Sequence, residues 1–107
     1  MDSSERVILY RNSVGSSAII LASTVGYIVN NTWYRLRITR TESGAFTVYI
    51  LGGVFGNTTW TLVDTTGGTG TNPVIDTTHI TSKFCLIDLD VGDRITNILL
   101  KRGINKV

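Results

Sequence analysis

Cysteine is nearly absent from this sequence. A single thiol, Cys85, excludes an internal disulfide and a cysteine-based zinc cage. Its apolar setting, KFCLIDL, reads as that of a buried structural thiol. Histidine is as scarce: His79 stands alone in a polar stretch, so a zinc site built on several imidazoles is excluded. Charge is sparse too, at 17% of residues with a net +2, too weak a field to point to a nucleic-acid binder. No apolar run reaches membrane-spanning length. The opening MDSSERVILY lacks the basic start and long apolar core of a signal peptide, so secretory export is not expected.

What is present is Thr, Ile, Val, Leu and Gly, with 42% hydrophobic residues in a chain of 107. That is enough for one core, so residues 1–107 are expected to form a single domain. With one proline and no helical spacing of apolar residues, the composition is all-β. Candidate strands are residues 6–11, 17–22, 26–29, 32–40, 46–51, 59–64, 83–89 and 94–101. Between them, DTTGGTGTNPVIDTTHITSK over residues 64–83 reads as a long surface loop with room for a short strand near its end. About eight short strands point to an antiparallel β-sandwich or jelly roll.

The register of one hairpin follows from its alternation. Thr41-Glu42-Ser43-Gly44-Ala45 is a five-residue loop in which Gly44 can supply positive φ. Folding about Ser43 pairs Ile38 with Val48 and Leu36 with Ile50. Tyr34, Leu36, Ile38, Phe46, Val48 and Ile50 then share one apolar face, the expected core. The opposite face carries Trp33, Arg35, Arg37, Thr39, Thr47, Tyr49 and Leu51, with Arg37 opposite Tyr49 and Arg35 opposite Leu51.

Aromatic rings beside guanidinium groups have three uses. Rings stack on sugars while Arg and Thr bind hydroxyls; the same mixture suits a protein interface; and a solvated cross-strand Arg–Tyr pair needs no ligand at all. Trp33, Arg35, Arg37 and Tyr49 are therefore candidate glycan- or partner-binding residues. Gly67-Gly68-Thr69-Gly70 lacks the Lys-Ser/Thr of a phosphate loop and reads as a flexible loop. The cluster Asp88, Asp90 and Asp93 departs from the EF-hand pattern and reads as a tight turn rather than a calcium site, and no cofactor is expected. Asn30-Asn31-Thr32 and Asn57-Thr58-Thr59 fit the glycosylation sequon, which carries little weight without a signal peptide.

WYRLRITRTESGAFTVYILGG, then WTLVDTTGG, then FCLIDLDVGDRITNILL resembles the later strands of concanavalin A-like lectin/glucanase domains. These are the laminin G-like jelly rolls, in the version found in bacteriophage structural proteins. The resemblance spans roughly residues 26–102. It implies an antiparallel β-sandwich and a virion protein: a fibre or tail component with affinity for host-surface glycan, or a capsid-decorating or assembly protein that grips other virion proteins.

Two departures from that family bear on function. Its glycoside hydrolases need a pair of carboxylates flanking the scissile bond, whereas this chain has only Glu5 and Glu42 as glutamates and no acid-rich alternating strand. Enzymatic activity is therefore not expected. The chain is also shorter than complete domains of this type, so it either trims the jelly roll or completes its sheets against neighbours. A homo-oligomer, most simply a trimer, is the expectation.

Overall fold

Alternation in residues 32–51 demands a hairpin. In the computed structural model, which describes residues 5–13 and 16–77, strands β3 (Arg35–Arg40) and β4 (Ala45–Leu51) pair antiparallel. Leu36 lies opposite Ile50, Arg37 opposite Tyr49 and Ile38 opposite Val48, the register that folding about Ser43 predicts. The turn closes because Gly44 sits at φ 90°, a conformation that side chains resist. Its N–H donates to the Thr41 carbonyl at 3.0 Å, and Thr41 N–H donates to the Ala45 carbonyl at 3.0 Å.

Antiparallel sheets of two and four strands make up the described residues. Strand β1 (Ile8–Ser13) pairs with β2 (Ser16–Ala22), with a register shift between Leu9 and Tyr10. In the larger sheet, β5 (Thr61–Leu62) and β6 (Val74–Ile75) both pair with β4. Apart from a 3-10 turn at Gly53–Phe55, no helix occurs among the described residues.

Hydrogen-bond alternation explains how β4 serves three partners. Because Thr41 bonds Ala45, the odd-numbered backbone groups of β4 face β3 and the even-numbered ones face the other way. Val63 N–H accordingly donates to the Val48 carbonyl at 3.0 Å, and Asp76 N–H to the Gly44 carbonyl at 2.9 Å. Strands β5 and β6 thus share one edge of β4, at its two ends. Asn72 bridges the gap between them. Its Oδ1 accepts Val48 N–H at 3.2 Å, while its Nδ2 donates to the carbonyls of Val48 at 2.8 Å and Val63 at 2.9 Å. A side-chain amide carries the same donor and acceptor as a peptide, so it stands in for the missing strand.

The core joins both sheets. Val7, Leu21, Ile28, Val48, Ile50 and Val63 form one buried cluster, with Leu9, Tyr27, Tyr34, Phe55 and Val74 packed against it. Removing these side chains from water is the main stabilising term, about 25 cal/mol per Å² of apolar surface. Two polar ties flank the cluster. Buried Ser23 accepts Val7 N–H through Oγ at 2.9 Å, and Arg11 of β1 meets Asp76, just beyond β6, at 2.8 Å.

Several expectations change. Of the hairpin's apolar face, Val48 and Ile50 are buried and Tyr34 packs against the core, but Leu36 is 43% exposed and Ile38 54% exposed, and Phe46 is only partly buried. The reason is strand order, since β3 is the outer strand among the described residues and the cluster sits over β4. Leu51, expected on the outer face, is buried where β4 ends and Gly52 N–H turns back onto the Gly56 carbonyl. Residues 26–29 are not a strand. Gly26 turns there at φ 78°, Tyr27 packs against the core, and Ile28 enters it, its N–H reaching the Glu5 carbonyl at 3.2 Å.

The glycine-rich loop is likewise structural. Thr69 N–H donates to the Ala22 carbonyl at 3.0 Å and Ala22 N–H to the Thr69 carbonyl at 2.9 Å, fastening the loop to the end of β2. A Cβ on Gly68 would collide with the backbone of Ala22 and Ser23, and one on Gly70 with that of Ile20. A short strand, β6, does occur within residues 64–83, but at the middle of the loop; the loop's end, where one was expected, lies outside the described residues. The candidate strands at 83–89 and 94–101 lie outside the described residues, as do His79, Cys85, Asp88, Asp90 and Asp93.

Candidate binding site

The outer face of the four-stranded sheet carries the candidate residues. Side chains two apart on a strand share a face, so Arg35 and Arg37 of β3 lie on the same side as Tyr49 of β4. The guanidinium carbon of Arg37 lies 5.9 Å from the centroid of the Tyr49 ring. It lies 5.9 Å from the Trp60 ring as well. One cation therefore lies within reach of two aromatic rings, each attracting it through its quadrupole.

Trp60 was missed as a site residue, although the sequence held a signal for it. Tyr49 pairs with Leu62 and Ile50 with Thr61, so continuation of the ladder sets Trp60 opposite Leu51. Within residues 59–64, Trp60 and Leu62 therefore alternate with Thr61 and buried Val63. The alternation was legible, but which strand β5 would pair with was not.

Placement of the other candidates is uneven. Arg35 is exposed opposite Leu51 at the far end of β3 from the turn. Trp33 precedes β3 in a loop and is 64% exposed, while its carbonyl packs 2.7 Å from where a Cβ on Gly52 would stand. Tyr34, next to it, points to the core side. Its hydroxyl accepts Val29 N–H at 3.0 Å and its ring lies 6.3 Å from that of Phe55. The structure thus brings Arg37, Tyr49 and Trp60 together, with Leu62 paired to Tyr49 in the ladder, and leaves Trp33 and Arg35 on the strand's entry side.

Chemically, this face offers π surfaces, guanidinium donors and little acid. Asp64, near the end of the β5 segment, accepts Thr66 N–H at 2.9 Å. That backbone bond, with a side-chain bond from Thr66, holds its carboxyl below the usual carboxylate range against a small desolvation effect. No group of three or more metal-binding side chains occurs among the described residues. A scan against protein-family models, a search of curated proteins and a search of solved structures each find no match to this chain.

Proposed function

We propose that this chain is a non-enzymatic bacteriophage virion structural protein, built as a concanavalin A-like β-sandwich, that binds host-surface glycan on a fibre or tail. The observation that carries the reading is Arg37 beside both Tyr49 and Trp60, 5.9 Å from each ring, on the outer face of a hydrogen-bonded sheet. A sugar ring laid on Trp60 or Tyr49 would bury its C–H face, and Arg37 and Arg35 would donate to its hydroxyls. A rigid ladder suits this task, because the platforms are ordered before the ligand arrives. The family resemblance of the hairpin and its following strands supports the virion setting, and the small number of carboxylates on this face supports binding without hydrolysis.

Exposed Val54 and Ile75, at 88% and 75%, support contacts with other subunits and a homo-oligomer such as a trimer. A second reading, a capsid-decorating or assembly protein, is favoured by Leu62. It is 44% exposed beside Tyr49, and an aliphatic side chain there serves a protein interface better than a sugar site.

Glycan-array binding and virion incorporation of Tyr49→Ala, Trp60→Ala and Arg37→Ala, each checked for unchanged melting, separate the readings. Loss of a platform is expected to weaken glycan binding by roughly tenfold to a hundredfold. Lost incorporation with no glycan binding in any variant supports decoration. Unchanged behaviour in both assays refutes a functional face and leaves a solvated Arg–aromatic cluster.

A further inference from the structure

Arg35 and Arg37 meet no carboxylate among the described residues. Two apart on β3, they share the outer face of the sheet with their Cα atoms about 7 Å apart. Opposite them in β4 stand Leu51 and Tyr49, which bring no counter-charge. The described carboxylates lie elsewhere: Asp76 meets Arg11 at 2.8 Å, and Asp64 accepts Thr66 N–H at 2.9 Å. Glu42 sits in the hairpin turn, at the other end of β3 from Arg35, and Glu5 lies beside Ile28, whose N–H its carbonyl accepts. Two positive charges thus stand side by side with no acid among the described residues to balance them.

What a ligand must bring follows from the cost of covering those charges. A neutral sugar laid over an exposed guanidinium replaces its water with hydroxyls while taking a charge out of solvent. That exchange gains little. A carboxylate offsets the cost, because its two oxygens accept two parallel N–H donors of the planar guanidinium and the charges cancel. Arg37 is exposed even though it lies 5.9 Å from two ring centroids, so its N–H groups are open to such a partner.

The rings decide what carries the charge. Tyr49 and Trp60 are half-buried beside Arg37, each offering a flat π surface next to a cation. A pyranose with a carboxylate on its ring meets both demands in one unit, its C–H face against an aromatic side chain and its charged group at the edge. An aspartate or glutamate side chain of a peptide brings the charge without the flat apolar face.

We propose that the outer face of β3, β4 and β5 binds an acidic glycan, one whose pyranose ring lies on Tyr49 or Trp60 while its carboxylate is held by the guanidinium groups. Arg37, beside both platforms, takes the carboxylate directly. Arg35 stands in the row of Leu51 and Trp60, so its charge adds to the Trp60 side of the site. The inference rests on the glycan-binding reading above and narrows it to one chemical class.

The test uses the full chain on a glycan array that carries sialylated, uronic-acid and neutral structures, followed by titration of each bound acidic glycan against its own methyl ester. Esterification removes the charge and keeps the sugar. The bound structures are expected to carry a carboxylate, and the ester is expected to bind at least about tenfold more weakly. Arg35→Gln and Arg37→Gln, checked for unchanged melting, should each weaken the acid by a similar factor and shrink the difference between acid and ester. Tyr49→Ala should weaken acid and ester alike. If Arg37→Gln loosens the fold, Arg35→Gln carries the test, since Arg35 makes no ring contact among the described residues. Neutral glycans or esters bound as tightly as acids overturn the inference and leave the glycan reading standing, whereas binding to no glycan overturns both. Dextran sulfate or polyglutamate bound as tightly as the acidic glycans, with Tyr49→Ala having no effect, also overturns it, because the face is then a patch for any polyanion.

Discussion

Truncating Asn72 to alanine removes a side chain that acts as backbone. Its amide makes three hydrogen bonds, with Val48 N–H, the Val48 carbonyl and the Val63 carbonyl, at 3.2, 2.8 and 2.9 Å. Val48 is 1% exposed, so water cannot easily replace those partners. A satisfied hydrogen bond contributes a net of about 1 kcal/mol, and a buried group left without one costs about 1 to 3 kcal/mol. Allowing for partial relaxation, and because the two carbonyls keep a lone pair each with other possible donors, Asn72→Ala should destabilise by about 3 kcal/mol. Against a total of about 5 to 15 kcal/mol that is a large share. In a domain of this size it lowers the melting midpoint by roughly 12 to 24 °C.

The assay is urea denaturation followed by tryptophan fluorescence, with the slope checked so that a shifted midpoint reports stability alone. Asn72→Asp sharpens it. The carboxylate keeps the shape but has no proton to donate, so it faces the Val48 and Val63 carbonyls with like partial charge. Its folded-state pKa is then raised, so the stability of that variant should be greatest below the unfolded carboxyl pKa and fall as pH rises through the folded value. A loss under about 0.5 kcal/mol in Asn72→Ala would refute the idea that this amide completes the sheet.

Gly68→Ala should destabilise by more than about 2 kcal/mol, since its Cβ overlaps the Ala22 and Ser23 backbone rather than a movable side chain; thermal unfolding checks it, and a neutral result would mean that the loop is not fastened to β2. Ser23→Ala leaves buried Val7 N–H without its acceptor and should cost about 1 to 3 kcal/mol, with faster hydrogen exchange at Val7 as the local signature. The Asp64 carboxyl, depressed by its Thr66 bonds, should titrate below an ordinary aspartate in an NMR pH series. Its contribution to stability is present above the unfolded carboxyl pKa and is lost as pH falls through the lower folded value, so a midpoint at or above the ordinary value refutes the turn geometry.

Local features were legible from the chain alone. The hairpin register depends on a period of two and on a glycine at the turn, both set within a few residues of each other, so Arg37 was placed beside Tyr49 before any tertiary contact was known. The β-rich class followed in the same way, from β-branched residues and turn punctuation. Strand order is different, because it depends on which distant segments close on which edge. Only tertiary structure decided that β3 is the outer strand among the described residues, and that Leu36 and Ile38 stay half in water while Val48 and Ile50 are buried. It alone brought Trp60 to Arg37, turned Gly68 from an apparent loop residue into a close backbone contact with β2, and set Asn72 in the ladder of β4. Each of these contacts joins residues more than twenty apart, where the pattern of one segment says nothing about the edge of another.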